Sequence, residues 1–247
     1  MLDLVAGIGG GAFVLASLFV GGRLLIAGLR RRELPELAIG AGLFLSAGLG
    51  YPLMMTAQLG RDLPDEVRTT LLLAHMLCNL FGLGGLTVFT RRVFRPDASW
   101  ALALTGALLL GEAAAMLAQM LGPGAIAFLE TAQGPWVGNT YIGLVILGWS
   151  GGESVWHHRM LKRRVALGLA DSVVAERVGL WGYAMLTAAT ISASALILTA
   201  FGVEIAGTAI GALVVGPLGL VCASLIWLAF MPPKAYLDRV RARAVTH

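Results

Sequence analysis

Charge is scarce in this sequence: 13% of its 247 residues are Asp, Glu, Lys or Arg, about half the share usual in a soluble globular domain. With 57% apolar residues and a mean hydropathy of +0.81, that scarcity excludes an ordinary soluble domain. Cysteine is scarcer still. Only Cys78 and Cys222 occur, each inside an apolar run, so neither a disulfide framework nor a CxxC metal site is expected. No HExxH, GxSxG or paired-aspartate motif is present, and the reading leans away from an enzyme. Short alternating segments are missing too, which argues against a membrane β-barrel.

What the chain does have is long apolar runs. About 20 apolar residues make one helical crossing, and seven such segments can be drawn, at about 4–29, 36–59, 67–90, 99–121, 136–160, 172–201 and 205–230. The N-terminal run lacks a basic leader region and reads as the first membrane helix. Proline with acids beside it opens the second and third segments (Leu34-Pro35-Glu36 and Leu63-Pro64-Asp65-Glu66), a normal helix start. Gly122-Pro123-Gly124 breaks the pattern, and Ala125–Pro135 is too short to span. Pro217, beside Gly216, predicts a kink in the last segment. The expected fold is all-α: residues 1–247 form one polytopic seven-transmembrane-helix bundle with a basic tail at 234–247.

The net charge of +4 does not point to nucleic acid, because the cations sit at helix ends. Of 18 Lys and Arg residues, only Arg61 and Arg68 fall at one end of the segments. Arg23 lies within the first segment, and the rest gather at the other end, densest at Arg159, Lys162, Arg163 and Arg164. The basic end is expected to be cytoplasmic, which puts the N-terminus outside and the C-terminus inside, in the plasma (cytoplasmic) membrane. The longest loop, Leu161–Asp171, is too small for a separate effector module.

Ionisable groups at membrane depth are costly, at least ~2.5 kcal/mol at the centre of the bilayer, and are therefore the functional candidates. Glu112 lies thirteen residues beyond Ser99, roughly 20 Å along the helix. His75 falls in the same outer half, on one face with Asn79 four residues on. With Tyr51, Gln119, Asn139 and Tyr141 they define a candidate ligand pocket open to the outside. The plainer alternative is a His75–Glu112 hydrogen-bonded pair joining two helices. Near the inner end Glu153 shares a face with Trp149 and His157, and is expected to form an ion pair or inner gate with Arg23 or a base of the following loop.

His75, Met76, Cys78, Met116 and Met120 make up a soft-ligand set of the kind that suits Cu(I). Methionine is also ordinary packing material, so no metal or other cofactor is expected. Gly7 and Gly11, and Gly82 and Gly85, are candidate sites of close helix packing. The layout of seven helices with the N-terminus outside resembles that of rhodopsins and G-protein-coupled receptors. Rhodopsins hold retinal on a lysine in the last helix, however, and Lys162 and Lys234 both lie outside the hydrocarbon. Thr90-Arg91-Arg92 lacks the acidic residue of the receptor motif. The expectation is a receptor-like or sensory membrane protein that binds a small ligand in the outer half. It would couple through basic inner loops to a cytoplasmic or membrane partner. A proton-coupled or small-molecule transporter using Glu112 and Glu153, and a structural subunit of a larger membrane complex, are the alternatives.

Overall fold

The computed structural model describes residues 2–60, 62–121, 135–203 and 208–245. Helices dominate these, and there is no strand among them. In chain order they are α1 (Leu2–Arg31), α2 (Leu34–Ala41), a π-helical stretch (Gly42–Gly50), α3 (Tyr51–Leu59), α4 (Asp65–Phe94) and α5 (Ser99–Leu121). Then come α6 (Pro135–Ala166), α7 (Ser172–Ala200), α8 (Ala209–Phe230) and α9 (Lys234–Val245). Six stretches are long and apolar enough to cross a membrane: Gly7–Arg31, Leu34–Leu59, Asp65–Phe94, Ser99–Ala118, Ser172–Ala200 and Ala209–Phe230. This is the make-up of a multi-pass helical membrane protein. The Ala125–Pro135 expectation falls almost wholly outside the described residues.

Several helices run past their expected ends. α4 continues to Phe94 and α6 to Ala166, taking Arg91, Arg92, Arg163 and Arg164 into helix. Arginine is a good helix former, and a cation in the last turn complements the carbonyl end of the helix dipole. The supposed loop from Leu161 is therefore largely helix, and only 167–171 separate α6 from α7. Asp171 caps α7 by accepting from the Val173 N–H at 2.7 Å, and Thr208 caps α8 by accepting from Gly211 N–H at 3.2 Å. Between α1 and α2 the reversal is tight: Arg32 takes φ +58°, the left-handed region that glycine usually supplies. Glu33 N–H then closes on the Gly28 carbonyl at 3.1 Å.

Small residues set the neighbours. Gly28 lies against Leu37, Gly40 against Leu25 and Gly48 against Leu18, so α1 and the Leu34–Leu59 segment are antiparallel. Gly85 faces Ala38 and Gly82 faces Ser46, which sets α4 antiparallel to that segment in turn. α6 runs antiparallel to α7 through Gly151–Leu186 and Gly179–His158, and antiparallel to α5 through Gly111–Ile142 and Trp100–Trp149. α8 runs parallel to α1: Gly9 meets Gly216, Phe19 stacks on Trp227 and Arg23 reaches Met231. A ring results, α1–α2–α4–α6–α7–α8, with α5 set into the groove between α4 and α6. Its core joins Val20, Ile39, Leu43, Leu86, Ile146, Trp181 and Ile226.

Among the described residues, a Cβ added to Gly7 or Gly11 would meet nothing within 4 Å; Gly9 makes the approach instead. Pro217 stands inside α8, next to the Gly216 that α1 abuts.

Candidate functional site

The second segment is not a uniform helix. Proline has no N–H and its ring collides with the carbonyl four residues back, so Pro52 cannot continue an α-helix from Gly48 unchanged. The chain widens to the π pattern over Gly42–Gly50, ending with Tyr51 N–H on the Ser46 carbonyl. Such wide turns are common at functional sites. This one carries Ser46 towards α4 and presents the Gly50 carbonyl to His75.

A polar chain follows. His75, 7% exposed, has Nδ1 2.8 Å from the Gly50 carbonyl. A carbonyl can only accept, so Nδ1 carries the proton and Nε2 is the acceptor. Asn79 Nδ2 donates to that Nε2 at 3.1 Å, and Asn79 Oδ1 accepts from Ser46 Oγ at 2.7 Å. Both His75 nitrogens are thereby committed. The expected His75–Glu112 pair does not form. Gly84 faces Leu109 across α4 and α5, which leaves His75 and Glu112 roughly 9 Å apart along the axis at helical rise.

Glu112 stands by itself. α5 buries a single stripe, Ala101, Thr105, Leu108, Glu112 and Ala115, at alternating spacings of four and three that line one helix face. Glu112 is 2% exposed, and its Oε1 has no hydrogen-bond partner among the described residues. Among the described residues neither Tyr51, Asn139 nor Tyr141 hydrogen-bonds to its Oε1. Tyr51 packs edge-on against Phe13, with centroids 6.2 Å apart. Asn139 is half-buried near the start of α6, and Tyr141 is 54% exposed. The Gln119 side chain lies outside the described residues. Of the soft-ligand set, Met76 is buried and Met120 is 54% exposed. With both nitrogens bonded, His75 offers no lone pair to a metal. Among the described residues no group of three or more His, Cys, Asp or Glu converges as metal ligands would.

At the basic end, Glu153 pairs with Arg95, whose Nε lies 2.9 and 3.1 Å from the two carboxylate oxygens. The Arg95 guanidinium also sits 4.6 Å from the Trp156 ring centroid and 5.8 Å from that of Trp100. His157 Nδ1 donates to the Glu153 carbonyl at 3.0 Å, and its ring packs on Phe94. Arg23 is not part of this cluster. It bonds the sulfur of Met231, the residue that caps α8, in keeping with the packing of α1 beside α2 and α8. Ser46 and Arg95 are the two residues that the sequence reading passes over. A serine in an apolar run carries no spacing signal, and Arg95 counts there only as one more helix-end cation.

No family model, curated protein or solved structure matches this chain. What the fold and its polar groups define is a class, the multi-pass helical membrane protein.

Proposed function

We propose that this chain is a receptor-like or sensory protein of the cytoplasmic membrane. In this reading it has seven crossings, its N-terminus outside and its basic tail inside, and it takes a small ligand at Glu112. A seventh crossing is supported by α6, which lies alongside the spans, antiparallel to α5 and α7. Parity supports it too: α1 and α8 are parallel, and consecutive antiparallel helices bring the first and last into parallel only when their number is odd. α6 falls short on composition because Asn139, Glu153, His157 and His158 interrupt its apolar run.

Glu112 carries the ligand part. A carboxyl buried with an unpartnered oxygen loses hydration without compensation, and such an atom is suited to a ligand's N–H or O–H donor. A small amine or another cationic donor is the matching class. The same carboxyl would suit a proton-coupled transporter, the second reading. Against direct exchange with Glu153, that residue lies eleven positions beyond Ile142, the neighbour of Gly111, roughly 17 Å along α6. Leu108 and Ile146 are packed between the two levels.

The test is a thermal-unfolding screen of purified protein against small amines, with Glu112→Gln beside the wild type. A ligand at 100 times its Kd stabilises by about 2.7 kcal/mol. We expect at least one amine to raise the wild-type Tm and to leave Glu112→Gln unmoved. Equal shifts in both proteins, or none in the wild type, would remove Glu112 as the ligand site. Proton flux into liposomes that depends on Glu112 would move the assignment to the transporter.

A further inference from the structure

A groove of about 670 Å³ runs along the outside of the ring between α1 and α8. Its walls are Ala12, Leu15, Ala16 and Phe19 from α1 with Ser224 and Trp227 from α8. Leu15 is 68% and Phe19 57% exposed, and Phe19 stacks on Trp227 with centroids 5.7 Å apart. Leu15, Phe19 and Arg23 follow at intervals of four and share one face of α1. The apolar groove therefore leads directly to a cation. Arg23 is exposed and has no carboxylate partner among the described residues; its bond is to the Met231 sulfur. Met231 ends α8, so Arg23 stands where the last span leaves its apolar stretch.

Length adds a second constraint. From Ala12 to Arg23 is eleven residues, roughly 16 Å at helical rise. One leaflet is half of a hydrocarbon layer of ~30 Å, about the same distance. A cleft one leaflet deep, apolar along its length and cationic at its basic-end mouth, has the shape and charge of a lipid site.

We propose that the α1–α8 groove binds an anionic phospholipid of the cytoplasmic leaflet, with its headgroup phosphate on Arg23 and an acyl chain between Leu15, Phe19 and Trp227. The inference rests on the inward placement of the basic helix ends argued above, and does not depend on Glu112. Arginine suits the headgroup because its planar donor fork matches phosphate oxygens. Ser224 donates to its own helix, to the Leu220 carbonyl at 2.8 Å, so it leaves the wall without a competing headgroup donor.

The experiment is native mass spectrometry of delipidated protein titrated with phosphatidylglycerol or with phosphatidylcholine of the same chains. One cation at the headgroup is worth about 1 kcal/mol, or roughly fivefold in affinity. We expect that preference for phosphatidylglycerol in the wild type, retention in Arg23→Lys and loss in Arg23→Gln. Ser224→Phe, which fills the groove from an exposed position, should weaken both lipids alike. Equal binding of the two lipids by the wild type would overturn the proposal, as would an unchanged preference in Arg23→Gln. A dimer that Ser224→Phe converts to monomer would instead give the groove to a second copy of the chain. The preference is measured in detergent and is blind to orientation. Outside labelling of a cysteine placed at Arg32 by an impermeant thiol reagent would defeat the topology separately.

Discussion

Asn79 spans the polar chain on α4, giving a donor to His75 and an acceptor to Ser46. Removing its amide leaves the buried His75 Nε2 without its donor and the half-buried Ser46 hydroxyl without its acceptor, and one buried group left so costs about 1–3 kcal/mol in the general case. Asn79→Ala should lower unfolding stability in detergent by an amount in that range. In a Ser46→Ala/Asn79→Ala double-mutant cycle we expect a coupling of about 0.6 kcal/mol, typical of hydrogen bonds between membrane helices. Zero coupling would mean that the 2.7 Å contact contributes nothing. The four-residue spacing of His75 and Asn79 was legible in the sequence, and so was Glu112 as an isolated carboxyl in an apolar helix. Their partners were not. Ser46 and Gly50 reach α4 only because Pro52 widens the preceding turns, and Glu153 finds Arg95 because the α4–α5 corner lies over α6.

Among the elements, the α1–α8 contact discriminates most sharply between spacing and packing. A Cβ built on Gly9 would lie 2.1 Å from the Gly216 carbonyl oxygen, whereas one on Gly11 meets nothing within 4 Å among the described residues. Gly9→Ala should therefore destabilise by about 1–3 kcal/mol, the usual cost of overpacking. Gly11→Ala should be neutral or stabilising by up to about 1 kcal/mol, because alanine is the better helix former. Thermal unfolding of the two variants compares them directly, and an equal loss in both would contradict the contact. Helix positions followed from hydropathy because bilayer thickness fixes how long an apolar run must be. Which glycine face meets which helix depends on the rotation of each helix about its axis, and a GxxxG spacing does not encode that. The π-helical stretch was hidden for a related reason: proline announces a break without stating how the backbone absorbs it.

For the molecule as a whole, the count of crossings turns on α6, the helix with the most polar interruptions. If it crosses, cysteines introduced at Arg32 and Leu169 lie on one side and one at Asp62 on the other. In a background of Cys78→Ala and Cys222→Ala, an impermeant thiol reagent added to intact cells should label only the Asp62→Cys protein. Labelling of Leu169→Cys would reduce the count to six. The parallel docking of α1 against α8 also has a consequence in time. Gly9 leaves the ribosome 207 residues before its partner Gly216, an interval of roughly 10–40 s at ordinary synthesis rates. Throughout that interval the glycine face of α1 must be held by lipid or by the insertion machinery. The contact between α1 and α8 therefore closes the ring last, and an insertion chaperone that shields α1 until α8 arrives would serve that closure.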